Sequence, residues 1–202
     1  MLPADIFVRT ATPADDALVS ELLQASYPVL MRPSYEGDVL AAALPLMTRA
    51  DPALLSSGTF YLVKIEDGRV VGCGGWTRER PGSGEVAPEL AHIRHFAVHP
   101  ERNRCGVGRA IYAKCEEKAR SAGVRRFECC SSLNAEGFYA ALGFRTVRAG
   151  NVAHGPRCED TVHSDGTIHL IPKIRYDGAR IDLKLDVGWI EVLRIPDVAA
   201  GP

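Results

Sequence analysis

The sequence has no apolar run approaching the roughly 18 residues that a membrane span needs. Its first residues, Met1 to Asp5, lack the basic stretch and apolar core of a secretory leader. A membrane or exported protein is therefore not expected, and the expected location is the cytoplasm. There is also no Cys-x-x-Cys pair. Six cysteines are scattered at positions 73, 105, 115, 129, 130 and 158 of a 202-residue chain, too large to need stapling, so reduced thiols are expected. Cys158 and His163 offer two zinc-type ligands without a further pair, so no metal is expected. Nor is there an excess of positive charge: the net charge is -1, which favours neither nucleic acid nor an anionic membrane as partner. No internal repeat or low-complexity linker interrupts the chain.

What is present reads as an ordinary globular composition, 46% hydrophobic and 24% charged, long enough for one large domain. Ile6 to Arg9 reads as a short strand. Thr12, Pro13 and Asp15 form a variant capping box opening a helix whose apolar face is Leu18, Leu22 and Leu23. The segment Tyr27 to Tyr35 holds two prolines and should break that helix; a second should run from about Asp38 to Met47. Two apolar runs, Phe60 to Ile65 and Arg69 to Thr77, flank Asp67-Gly68, a strong hairpin signal. Gly72, Gly74 and Gly75 in the second run point to a bulge or a close backbone approach.

A third strand, about Leu90 to Val98, leads through a compact turn into a helix from about Gly106 to Ser121. Its buried face should be Val107, Ile111, Tyr112, Cys115 and Ala119, with Gly123 as C-cap. Arg126 to Ser131 is a strand, with Cys129 and Cys130 on opposite faces. Asn134 to Leu142 is a short helix and Phe144 to Val147 a strand. A strand–helix–strand unit of this length implies a parallel crossover. The fold class is therefore α/β with a mixed sheet, antiparallel early and parallel in the middle. Residues 150–202 read as a β-rich extension completing or flanking the sheet of a core over 1–149. Its strands are expected over Thr167 to Ile174, Ala179 to Leu185 and Gly188 to Ile195, with a frayed tail from Ala199.

The chemistry concentrates where the third strand meets the following helix. Unpaired N–H groups at a helix N-terminus carry partial positive charge and bind phosphate. Gly106 and Gly108 have no side chain to block a pyrophosphate from them, and Arg102, Arg104 and Arg109 add charge. A Walker loop is excluded because Arg109-Ala110 stands where Lys-Ser/Thr is required. A dinucleotide fingerprint is disfavoured by Ile111, where Gly or Ala is wanted. A tight strand-to-helix turn with no ligand is the structural alternative.

Two segments together change that balance. Ala97-Val98-His99-Pro100 enters Asn103-Arg104-Cys105-Gly106-Val107-Gly108-Arg109, and Asn134 is followed by Tyr139 and Gly143-Phe144. In this order and separation the chain resembles the GNAT superfamily of acyl-CoA-dependent N-acyltransferases, over roughly Ile6 to Val147. In that family a strand ending Ala-Val-x-Pro enters a Gln/Arg-x-x-Gly-x-Gly/Ala loop. Asn103 departs from the pattern, being shorter and uncharged at the family's first Gln/Arg position.

The resemblance implies acetyl-CoA as co-substrate, its pyrophosphate on the loop from Asn103 to Arg109 and its pantetheine arm along Phe96, Ala97 and Val98. The family splays its central strands so that the arm lies between them, and helices cover both faces of its sheet. A backbone N–H, expected from Phe96, would stabilise the oxyanion. Asn134 is a candidate contact to the arm, or an N-cap of its helix. Tyr139 is the candidate general acid for the leaving thiolate, or a helix aromatic packed against Phe144.

The attacking amine must lose a proton. Strand alternation puts His92, Arg94, Phe96 and Val98 on one face, and His92 is the first candidate base, with Glu89 and Glu85 as rivals. The local string around His92 also looks like the arylalkylamine acetyltransferases, though Arg94 stands where those have a second histidine. Tyr27, Met31, Tyr35 and Trp76 are candidates for the acceptor wall, or plain packing. The expected reaction is direct attack of an amine, small or on a protein, on acetyl-CoA through a tetrahedral intermediate. A non-catalytic acyl-CoA-binding regulatory module is the alternative, and a homodimer is left open.

Overall fold

The computed structural model describes residues 6–152 and 187–194, with side chains over 6–146. The expected strands at 167–174 and 179–185, the Cys158 and His163 pair and the tail from Ala199 lie outside the described residues. The chain runs β1 (Ile6–Thr10), α1 (Asp16–Leu30), α2 (Gly37–Met47), α3 (Pro52–Ser56), β2 (Phe60–Ile65), β3 (Val70–Thr77) and β4 (Leu90–Val98). It continues through α4 (Val107–Ser121), β5 (Arg126–Ser132), α5 (Glu136–Ala140), β6 (Arg145–Val152) and β7 (Val187–Arg194). Two compact units emerge. One takes the described residues up to Thr77 plus Ile93–Ser121, and the other takes Arg78–His92 and the described residues from Ala122.

In the first unit the strand order is β1-β2-β3-β4, with β1-β2 and β2-β3 antiparallel. The Asp67-Gly68 hairpin forms as expected. Gly68 takes φ +85°, and its N–H donates to Ile65 O at 2.9 Å. One sheet face, carrying Phe60, Leu62, Cys73 and Ala97, packs on Val19, Leu22 and Leu23 of α1 and on Leu54 and Leu55 of α3. The opposite face receives α4. Its buried residues Val107, Ile111, Tyr112, Cys115 and Ala119 recur at helical spacing, while Lys114 and Glu117 pair at 2.8 Å on the exposed side.

Two details differ from the sequence reading. Helix α1 continues through Pro28 to Leu30 instead of breaking at Tyr27, because the bond that Pro28 cannot donate falls in the last turn and Met31 N–H still reaches Tyr27 O. Helix α3 was not expected; Asp51 caps it by accepting from Ala53 N–H at 2.9 Å, and Pro52 occupies its first position.

In the second unit the order is β4-β5-β7-β6. The pairing of β4 with β5 is parallel, as the crossover requires, and runs Leu90↔Arg126, Ala91↔Phe127 and His92↔Glu128. Strand β7 inserts antiparallel between β5 and β6. Along β5, Phe127 and Cys129 are buried while Cys130 faces solvent, so the two adjacent cysteines do take opposite faces.

Candidate active site

In the first unit, β4 ends at Val98 and the chain tightens through a 3-10 turn, Pro100–Arg102, in which His99 Nδ1 accepts from Glu101 N–H at 3.4 Å. Arg104 at φ +64° and Gly106 at φ +83° then turn the backbone into α4. The first bond of the helix is Ala110 N–H to Gly106 O at 2.9 Å, so the amides from Gly106 to Arg109 emerge at the N-terminus without intrahelical partners. Left-handed residues in such a turn concentrate N–H groups into an anion-binding concavity. Two amides of the expected set are spent: Asn103 N–H donates to Pro100 O at 3.2 Å and Cys105 N–H turns back to Arg102 O at 3.3 Å. Asn103, Arg104 and Arg109 are exposed on the loop, whereas Arg102 leans toward Asp67 of the β2–β3 hairpin and helps hold that carboxyl below its usual range, after the larger contribution of Arg69.

The loop is anchored from below. Val107, the first residue of α4, sits over Gly72, where a Cβ would lie 2.4 Å from Val107 Cγ1. Gly74 makes similar room for the Phe96 ring, and Gly75 for the backbone of Thr59 and Phe60. All three glycines thus mark close approaches.

Strict alternation along β4 fails. His95 adopts φ +48°, a left-handed residue that shifts the pleat. Arg94 turns to the α3 face, donating to Thr77 Oγ1 at 3.2 Å and standing 3.7 Å from Asp51, while Phe96 turns to the other face against Gly74. Burial lowers the affinity of the His95 imidazole for a proton, with Arg94 adding to the effect and Asp51 opposing it. Val98 O accepts from the buried Ser26 hydroxyl at 2.8 Å, and Ala97 is buried in the core on the α1 face. Tyr27 packs on that same core and Met31 is buried. Trp76 does not join them: it lies beside Tyr61, whose environment includes Cys115 and Glu117 of α4.

In the second unit, the β4–β5 register sets His92 directly opposite Glu128. The imidazole is 5% exposed, with Nδ1 3.4 Å from Glu128 Oε2. Both line a small pocket of about 70 Å³ with Arg80, Glu85, Ala87 and Leu90, room for ordered water at about 30 Å³ of liquid per molecule. Of the rival bases, Glu85 lines this pocket and Glu89 does not. Glu89 has φ +59°; its carbonyl accepts from Arg125 and Arg126 N–H, and its exposed carboxylate is 4.0 Å from Arg125. Glu128 escaped sequence reasoning. Its only signal is a carboxylate between the apolar Phe127 and Cys129.

Tyr139 is buried, edge-on to Phe138 and Phe144 at centroid distances of 5.1 and 5.3 Å. Its hydroxyl is the hydrogen-bond neighbour of the Cys129 thiol, which burial pushes up to about 12 against the lowering effect of that bond. Packing against Phe144 is therefore real. Asn134 does not cap α5. It is exposed inside the 3-10 turn Leu133–Ala135, and Ala135 takes the cap position.

Among the described residues no three His, Cys, Asp or Glu side chains converge as a metal site, and no helix is long and apolar enough to cross a membrane. The model of the GNAT acetyltransferase family matches residues 19–144. No curated protein matches the chain in sequence. Among solved structures, a GCN5-related N-acetyltransferase from Rhodopseudomonas palustris is similar at 17% identity and TM-score 0.66, covering 96% of this chain and 98% of its own. The PaiA N-acetyltransferase of Thermoplasma acidophilum, solved with coenzyme A, is similar at 14% identity and TM-score 0.60, over 94% and 98%.

Proposed function

The chain belongs to the GNAT acetyltransferase family, and on that footing we propose that it transfers the acetyl group of acetyl-CoA to an amine, small or on a protein, in the cytoplasm. The observation that carries this reading is the turn at the head of α4. Amides from Gly106 to Arg109 lack intrahelical partners, Gly106 and Gly108 offer no obstructing side chain, and Arg104 and Arg109 stand exposed around them. That arrangement suits a pyrophosphate.

His92 accepts the proton that the ammonium must lose, directly or through water in its pocket. The freed amine attacks the thioester carbonyl, and a backbone N–H of β4, at Phe96 by family resemblance, receives the oxyanion. Tyr139 donates a proton as the thiolate leaves, and the second proton shed by the acylated nitrogen restores its phenol. Amide, coenzyme A thiol and the His92 imidazolium then balance the ammonium and thioester consumed. The pantetheine arm is assigned to the backbone of Phe96, Ala97 and Val98, and Asn134 remains a contact to it by resemblance alone.

Calorimetry tests the coenzyme assignment. Gly106→Val places a branched side chain on a left-handed residue in the concavity. It should weaken acetyl-CoA binding ten-fold or more, on the order of 1.4 kcal/mol. Unchanged affinity in the folded variant would remove the loop from the site. A second reading, a non-catalytic acyl-CoA-binding regulatory module, draws support from the burial of Tyr139 against Phe144. Thiol release in the presence of an amine separates the two.

A further inference from the structure

We propose that Glu128 is the positioning residue for His92: it fixes the imidazole with Nδ1–H toward its carboxylate and balances the imidazolium formed when the acceptor's proton arrives. This rests on His92 being the base. The pair follows from topology. Parallel strands β4 and β5 place residues 92 and 128 side by side, so their side chains leave the same face of the sheet. The flanking Phe127 and Cys129 are buried on the opposite face. Glu128 is thereby directed to the His92 pocket, and its carboxylate is 22% exposed beside an imidazole that is 5% exposed.

A partly buried carboxylate is stabilised by a cation or a hydrogen-bond donor beside it. The groups facing His92 are Arg80 and Glu85, from the segment before β4, and Glu128 from β5. Glu128 Oε2 stands 3.4 Å from His92 Nδ1. With Nδ1 carrying the hydrogen, Nε2 keeps its lone pair and becomes the basic atom. During the reaction the ammonium N–H bond breaks and an Nε2–H bond forms. The Nδ1 proton stays on nitrogen and Glu128 stays ionised, so this deprotonation leaves its one added proton on Nε2. A carboxylate 3.4 Å away favours that charged form.

Imidazole NMR on the full chain tests the assignment without requiring turnover, so failure of the acetyl-transfer reading would leave this result readable. His92→Gln assigns the resonance. In the wild type at high pH, the nitrogen shifts should report the Nδ1–H tautomer; an Nε2–H tautomer would overturn the proposal. In Glu128→Gln the titration midpoint of His92 should fall by about one unit, and Glu128→Asp should restore most of it. The acidic limb of kcat/KM should move with the midpoint, and kcat/KM at neutral pH should drop at least ten-fold in Glu128→Gln. An unchanged midpoint in Glu128→Gln would overturn the proposal, whatever the activity.

Discussion

Gly72 and Val107 meet where β3 supports the first residue of α4: a Cβ on Gly72 would stand 2.4 Å from Val107 Cγ1 and 3.2 Å from Ile111 Cδ1. The start of α4 therefore rests on a missing side chain thirty-five residues earlier in the sequence. Gly72→Ala should push the head of α4 outward. Overpacking of this kind costs about 1–3 kcal/mol, and acetyl-CoA affinity should fall several-fold as the amides shift. Thermal unfolding and calorimetry read the two effects; a variant unchanged in both would show that the helix start is not set by this contact.

A different pair ties β1 to α1. Arg9 reaches the buried Asp15 carboxylate with both terminal nitrogens, at 2.8 and 2.5 Å, and Asp15 also accepts from Thr12 N–H at 2.8 Å. The Arg9 hydrogen bonds hold the Asp15 carboxyl well below the usual carboxylate range, against the opposing effect of burial. A carboxyl depressed in the folded state contributes stability that is present above the unfolded value near ~3.9 and is lost as pH falls toward the folded one. Asp15→Asn should cost about 1–3 kcal/mol at neutral pH and flatten the acid dependence below about pH 4. Urea unfolding at pH 7 and pH 3 checks this. An equal acid loss in both proteins would contradict it.

Tyr139→Phe removes one oxygen while keeping the edge-on contacts with Phe138 and Phe144. With the proton donor gone, kcat should fall by roughly 10²–10⁴ while acetyl-CoA affinity holds. Full activity, with chemistry shown to be rate-limiting, would leave Tyr139 as a packing residue only.

Features written in local pattern were readable from the sequence. The apolar period of α4, the Asp67-Gly68 hairpin and the glycine turn at its head need only neighbouring residues to specify them. Features set by distant partners were not. Nothing local marks His95 as left-handed, so the assumed alternation wrongly kept Arg94 with Phe96. Trp76, a candidate for the acceptor wall or for plain packing because it ends the neighbouring strand, lies beside Tyr61 by strand parity. Glu128 was invisible for the same reason: only the β4–β5 register reveals that it faces His92, whereas Glu89, nearer in sequence, points to solvent beside Arg125.

The central claim is acetyl transfer to an amine. The most direct measurement is thiol release from acetyl-CoA by the purified chain across a panel of small amines and lysine-containing peptides, with the product mass determined. At least one acceptor should release thiol and gain an acetyl group in equal amounts, at a rate that falls in His92→Gln. Acetyl-CoA binding without acceptor-dependent thiol release across the panel would contradict it and leave a binding module in its place.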